Sequence, residues 1–406
     1  MIHTTSRSLW AGYGTMVLKS AILLMAIAAV IWLGYEFWRL VWQSGEMGAI
    51  DLRQRHDEMQ AWFAGKPVYG KIVTAVYPPA SYAILWPLVG WLTVTAARWF
   101  WAVTTIIALI WTVFLCVRES GAHTPLQRTF VGVMPLSMYA TGATIGNGQL
   151  LVHVLPVLVA GLLLLKSKEL SWHQDLLAGA LVLIALVKPT VTAPFFWIVL
   201  FIPGRLRPAM IVSIGYVTLS FLAAFFQNTG LVTLLFKWSD RAAVGVEWGT
   251  ARGGVANQHS WLENVKLEGL EGPSSLIVLM ILGFWIYRNR RADIWILMGV
   301  TALVARFWTY HMWYDDLLIL LPMITLFRIA NQHAPFAAAD KLAGPLLAIT
   351  ILTLLAPGGL YLFPMPWDTL YVVLQTITWL AVLIFLLNHA RLQERLAGEA
   401  LNKLNL

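Results

Sequence analysis

The feature that most constrains this chain is a succession of apolar runs, most of them near the length of a bilayer-crossing helix, interrupted by only two long polar insertions. The runs fall at about 17–38, 99–117, 129–145, 149–165, 176–188, 190–203, 208–226, 274–287, 294–309, 312–327, 343–362 and 369–388, with a shorter one at 80–95. A hydrocarbon core of roughly 30 Å needs about 20 apolar residues per helix. The pattern therefore predicts an all-α polytopic membrane protein of about 12 transmembrane helices, one membrane domain over residues 1–406. Hydrophobic residues make up 59% of the chain and charged ones 12%, which leaves a soluble fold too little polar surface to cover itself.

The net charge of +8 would suggest a nucleic-acid partner in a soluble protein. Here the cations sit in short loops: Arg118 and Arg128, Lys166 and Lys168, Arg205 and Arg207, Arg288 with Arg290 and Arg291, Arg328 with Lys341, and a basic carboxyl tail. Such loops stay in the cytoplasm, so the charge reads as topology and no nucleic acid is expected. Keeping both termini inside as well requires that 80–95 does not cross. That run is short and holds Pro87 and Gly90, which predicts an interfacial or re-entrant helix. A first outer loop with interfacial helices (43–97) and a second outer loop (227–273) then share the outer face of a bacterial-type inner (plasma) membrane. Long insertions of this kind usually carry function.

Arg7 and Lys19 precede an apolar run at 21–33, as in a signal peptide. Glu36, Phe37, Trp38 and Arg39 follow where small cleavage-site residues would stand, so the segment reads as an uncleaved first span. Trp38, Trp42, Trp99, Trp238, Trp308, Trp313 and Trp367 lie near run ends, where indole rings anchor at headgroup depth. The single cysteine, Cys116, excludes an intrachain disulfide and reads as core.

The first insertion predicts a helix over 50–64 with Gly65 as its C-cap, followed by an extended Tyr77-Pro78-Pro79. Asp51 falls in the helix's first turn. There the dipole would keep its carboxylate ionised, as a general base requires, although an ordinary N-terminal helix residue explains it too. His56, Asp57 and Glu58 read as a solvated stripe. Lys188, inside an apolar stretch, is either functional or a lysine snorkelling at a helix end. Asn147 and Gln149 belong to a Gly-Asn-Gly-Gln turn whose amides could meet sugar hydroxyls, or which merely joins two spans. Asp315 and Asp316 could bind sugar hydroxyls or a divalent ion, or pair with Arg306.

Asp51, Ala64, Gly65, Pro67, Tyr69 and Tyr77-Pro78-Pro79 resemble, in order and spacing, the first outer loop of glycosyltransferase family 87. That is the polyprenyl-phosphate-dependent, mannosyltransferase-like group with the C-type membrane glycosyltransferase fold. The resemblance continues through Gly148-Gln149, Ala178-Gly179 to Lys188-Pro189, Asn257-Gln258-His259-Ser260, and Tyr310-His311 by way of Asp315-Asp316 to Pro322, and so covers most of the chain. It implies that Asp51 takes a proton from the acceptor hydroxyl while a sugar leaves polyprenyl phosphate with inversion. The developing charge on the phosphate needs fixed cations, for which Lys188, His259, Arg241, Arg252 and Arg306 are candidates. Gln149, Asn257, His311 and Tyr77 are further candidates for contact with substrate. Expected partners are a polyprenyl-phosphate sugar donor, a lipid or glycan acceptor and membrane lipids. No cofactor is required, though a divalent metal is not excluded. Leu52, Arg55 and His56 depart from the family's aromatic pattern, which implies a different acceptor or sugar. A flippase or transporter should show internal repeats, and none is visible. A lipid-linked polymer ligase would share the outer active site.

Overall fold

The computed structural model describes residues 3–45, 47–166, 171–253, 256–267, 269–332 and 338–404, with side chains described for 15–45, 47–166, 171–242, 256–267, 269–332 and 340–393. Its elements are helices, and among the described residues the only sheet-like pairing is a single bridge between Met138 and Leu355. Among the described residues, four helical segments are long and apolar enough to cross a membrane: Thr15–Val41, Val94–Glu119, Arg207–Phe225 and Trp367–Gln393. A fifth crossing arises if Tyr139–Asn147 and Leu151–Leu164, bent by 116° at their junction, count as one.

The other apolar runs form shorter pieces, and the reason is local chemistry. The run at 129–145 breaks at Met138, which is extended, three residues after Pro135. The junction before 149–165 turns on Gly148 in the left-handed region. Helix Trp172–Ala185 stops before Lys188-Pro189, where Pro189 opens a new turn. The run at 312–327 begins as the 3₁₀ segment Trp313–Ile319 and continues as Leu320–Ala330. Hydropathy records apolar length, whereas proline and glycine decide where a helix must stop. The run at 80–95 behaves likewise. Helix Pro79–Leu85 passes into a π-turn over Trp86–Gly90, a stretch rising about 18 Å at 1.5 Å per residue, too short to cross.

Burial is inverted relative to a soluble protein. The first helix exposes Leu23, Leu24, Ile27, Val30 and Ile31, while Glu36, Arg55, Glu58, Lys188, Arg306, Asp315 and Asp316 are buried. Apolar outer faces around paired charges are what lipid demands of its solute. Cys116 is buried as core. Of the tryptophans read as anchors, Trp38, Trp42, Trp99 and Trp367 are exposed. Trp238 and Trp308 instead point inward, their indole N–H groups donating to the carbonyls of Val76 (2.9 Å) and Thr190 (2.7 Å).

The two insertions meet. Gln227 donates to the carbonyls of Trp62 and Lys66, and the helix Leu231–Gly253 reaches the 73–76 segment through Trp238 and Arg241. Arg98, near the start of helix Val94–Glu119, fastens that end to the carbonyls of Leu40 and Gln43. About 32 Å away along the same helix, Arg328 holds the Glu119 carbonyl and Asp293. The basic turns around Arg118, Arg128 and Arg328 thus gather at the end remote from the insertions.

Candidate active site

Helix Ile50–Phe63 positions the site. It ends as its sequence predicts: Gly65 takes φ +71°, with Lys66 N–H donating to Ala61 and Gly65 N–H to Trp62, a closure that a residue with a Cβ resists. Pro78 is extended and Pro79 opens the next helix, so the chain doubles back and lays residues 73–78 against the helix. At the other end, Gly146 accepts from the Ala49 N–H at 3.1 Å. Gly148, at φ +68°, lets the following Gln149 approach. A Cβ at Gly148 would lie 2.6 Å from Leu52 Cβ. Gly148→Ala is therefore expected to cost about 1–2 kcal/mol in backbone strain alone, and to push the Gln149 loop off the helix. A lowered apparent melting temperature in detergent checks this, and an unchanged one contradicts it.

Between the two insertions lies a cavity of about 180 Å³. Six segments supply its wall: Asp51, Gln54 and Arg55; Val73, Thr74 and Val76 to Pro78; Gln149; Lys188 to Thr190; Trp238 and Arg241; and Tyr310, Tyr314 and Asp315. Of the residues singled out in the sequence, Asp51, Tyr77, Gln149, Lys188, Arg241 and Asp315 are thereby brought together. His311 stands one contact behind.

Lys188 is the hub. Its ammonium donates to Asp315 Oδ1 at 2.5 Å and to Gln149 Oε1 at 3.2 Å, and lies 4.9 Å from the Tyr314 ring centre. The other Asp315 oxygen meets His311 Nδ1 at 3.1 Å. This buried chain is an ion pair rather than a snorkelling lysine. Asp51 shares the neighbourhood. Burial pushes its carboxyl above the ordinary aspartate value of 3.8, opposed by the charges of Arg55 and Lys188 and by the Gln149 amide. The expectation of a dipole-stabilised, low-pKa carboxylate is thus reversed in sign, because desolvation outweighs one helix end. A base of raised pKa is the stronger proton acceptor.

Other expectations fall elsewhere. Arg306 is buried against Asp316, which also accepts from the Tyr139 hydroxyl, and donates to the Ala256 carbonyl at 3.1 Å. It does not line the cavity. Asp315 and Asp316 serve separate networks, and among the described residues no three metal-ligating side chains gather. Asn257 caps helix Gln258–Asn264 by accepting from Ser260 N–H. His259 bonds Ser275 at 2.9 Å, and burial lowers its pKa below 6.5, so it is no fixed cation near neutrality. Asn147 accepts from Arg39 and lies off the cavity. The Arg252 side chain lies outside the described residues. The supposed solvated stripe is solvated only at Asp57. Glu58 is fully buried between Arg55, Thr74 and Tyr82, and His56 bonds the Leu92 carbonyl. Arg55, Tyr310 and Trp238 were missed as cavity residues. The i, i+4 spacing of Asp51 and Arg55 could have signalled that they share a face.

If the Arg306–Asp316 pair is structural, Arg306→Met leaves a buried charge unpaired and lowers stability by about 3–5 kcal/mol. Adding Asp316→Asn should restore most of it. Thermal unfolding of the two variants checks this, and equal destabilisation of both contradicts it.

Apolar-faced helices around a charged cavity define a membrane protein. Residues 75–321, more than half the chain, match the family model for glycosyltransferase family 87, and the chain belongs to that family. Neither curated proteins nor solved structures yield a match. Asp51 precedes the matched segment, and its tie to it is spatial, through Gln149, Lys188 and Asp315.

Proposed function

We propose that this glycosyltransferase moves a sugar from a polyprenyl-phosphate donor to a lipid or glycan acceptor at the outer face of a bacterial inner membrane, with inversion. The observation that carries the reading is one cavity wall joining an accessible carboxylate of raised pKa, Asp51, to the cations Lys188, Arg55 and Arg241. The acceptor oxygen bonds to the anomeric carbon as its proton passes to Asp51. The bond from that carbon to the phosphate oxygen breaks, and its electron pair leaves with polyprenyl phosphate. Fixed cations answer the charge that develops on the leaving group.

A cavity of about 180 Å³ is small beside the roughly 300–1,000 Å³ of drug-sized pockets. It suits one sugar ring, with the polyprenyl chain left in lipid. The broken apolar helices complete the remaining crossings of a C-type fold of about 12 spans, with both termini cytoplasmic. The purified protein in nanodiscs should transfer label from polyprenyl-phosphate mannose, or from another sugar of a polyprenyl-phosphate panel including pentoses, to membrane lipid extract. Nucleotide sugars should be inert. Transfer from a nucleotide sugar alone would overturn the reading.

A further inference from the structure

Arg55 is a second firmly held cation of the cavity. It is 7% exposed and lines the wall. Its guanidinium meets Glu58 Oε1 at 2.9 Å, Nη2 donates to the Thr74 carbonyl at 2.8 Å, and the group stands 4.6 Å from the Tyr77 ring centre. Glu58 is fixed in turn by the Thr74 hydroxyl at 2.8 Å and the Tyr82 hydroxyl at 3.1 Å. The remaining amino group, Nη1, is buried and donates to nothing among the described residues. A buried donor left open is uncommon because it forfeits its hydration without return. At a cavity wall it points to a ligand acceptor.

The second insertion brings a matching group. Arg241 donates to the carbonyl of Val73, adjacent to the Thr74 carbonyl that holds Arg55. Its Nε is likewise buried without a partner, and among the described ion pairs no carboxylate neutralises it. Lys188 is committed to Asp315, and Arg306 to Asp316.

We infer that Arg55 and Arg241, one from each insertion and anchored on consecutive carbonyls, form an anion subsite that takes a phosphate group of the substrate. Planar guanidinium forks match phosphate oxygens in pairs, which a lysine ammonium does not. Lys188 stays with Asp315, while the two arginines hold the phosphate. That this phosphate is the donor's rests on the function proposed above; the subsite itself does not.

The test is binding to the full-length protein in nanodiscs, with radiolabelled polyprenyl phosphate lacking any sugar as probe and inorganic phosphate as competitor. Arg55→Gln strands Glu58 and can fail to fold, so Arg55→Gln/Glu58→Gln, which leaves the buried network neutral, is the variant of choice. It and Arg241→Gln should each weaken binding on the order of tenfold to a hundredfold. Wild-type affinity in both arginine variants, or no binding of either probe by the wild type, overturns the inference. Arginine-dependent binding of inorganic phosphate without polyprenyl phosphate would keep the subsite and remove the lipid-linked donor.

Discussion

Asp51→Asn is expected to lower sugar transfer by about 10²–10⁴-fold, the range that a positioned general base supplies, while binding of the polyprenyl-phosphate donor persists. Asparagine keeps the shape of the side chain and its place beside Gln149, but it cannot accept a proton. The wild-type pH profile should carry the same signature. Because burial raises the pKa of Asp51 above 3.8, the base is protonated and idle at low pH, and transfer should rise with pH through that raised value. In Asp51→Asn this acid limb should vanish. Transfer assays across pH on both proteins decide it. Equal rates would reduce Asp51 to a helix-end residue.

Lys188→Met is expected to cost about 3–5 kcal/mol of stability, the usual penalty for removing one partner of a buried ion pair. Asp315 would keep the His311 ring and the Met312 N–H but lose its ammonium partner, while 3% exposed. Chemistry suffers as well. Lys188 is one of the charges that hold the Asp51 pKa down, so its removal should raise that pKa further and move the acid limb of transfer to higher pH. Lys188→Met/Asp315→Asn should regain stability without regaining the original limb. Thermal unfolding and pH profiles of the two variants separate the effects. A single variant with wild-type melting temperature and profile would show that the network is idle.

How far the fold was legible depended on the signal. Helix Ile50–Phe63, its stop at Gly65 and the extended Pro78 were readable because each rests on backbone chemistry intrinsic to glycine or proline, whereas Pro79, expected to be extended, opens the next helix. Span number was less readable. The run at 129–145 passes through Met138 without a break, and the runs flanking Gly148 and Lys188-Pro189 nearly touch, yet the helix ends at each. Burial on the polar helix was hidden for a different reason. Arg55 and Glu58 look solvated in sequence, and become buried only because residues 66–77 fold back over them. Asp51 and Lys188 could be nominated from type and setting, whereas the partners of Arg306 and Asp315 were left open. Choosing between Asp315 and Asp316 needs the 3₁₀ turn at Trp313–Ile319, which sends the two neighbours to different networks.

The most direct measurement is a structure of Asp51→Asn with its polyprenyl-phosphate sugar bound and transfer arrested. The sugar ring should occupy the cavity between the two insertions, its anomeric carbon facing residue 51 and its phosphate against Arg55 and Arg241. A donor seated elsewhere, for example in the apolar cavity of about 570 Å³ between helices Ala343–Leu354 and Trp367–Leu404, with the Asp51 cavity empty, would contradict the account.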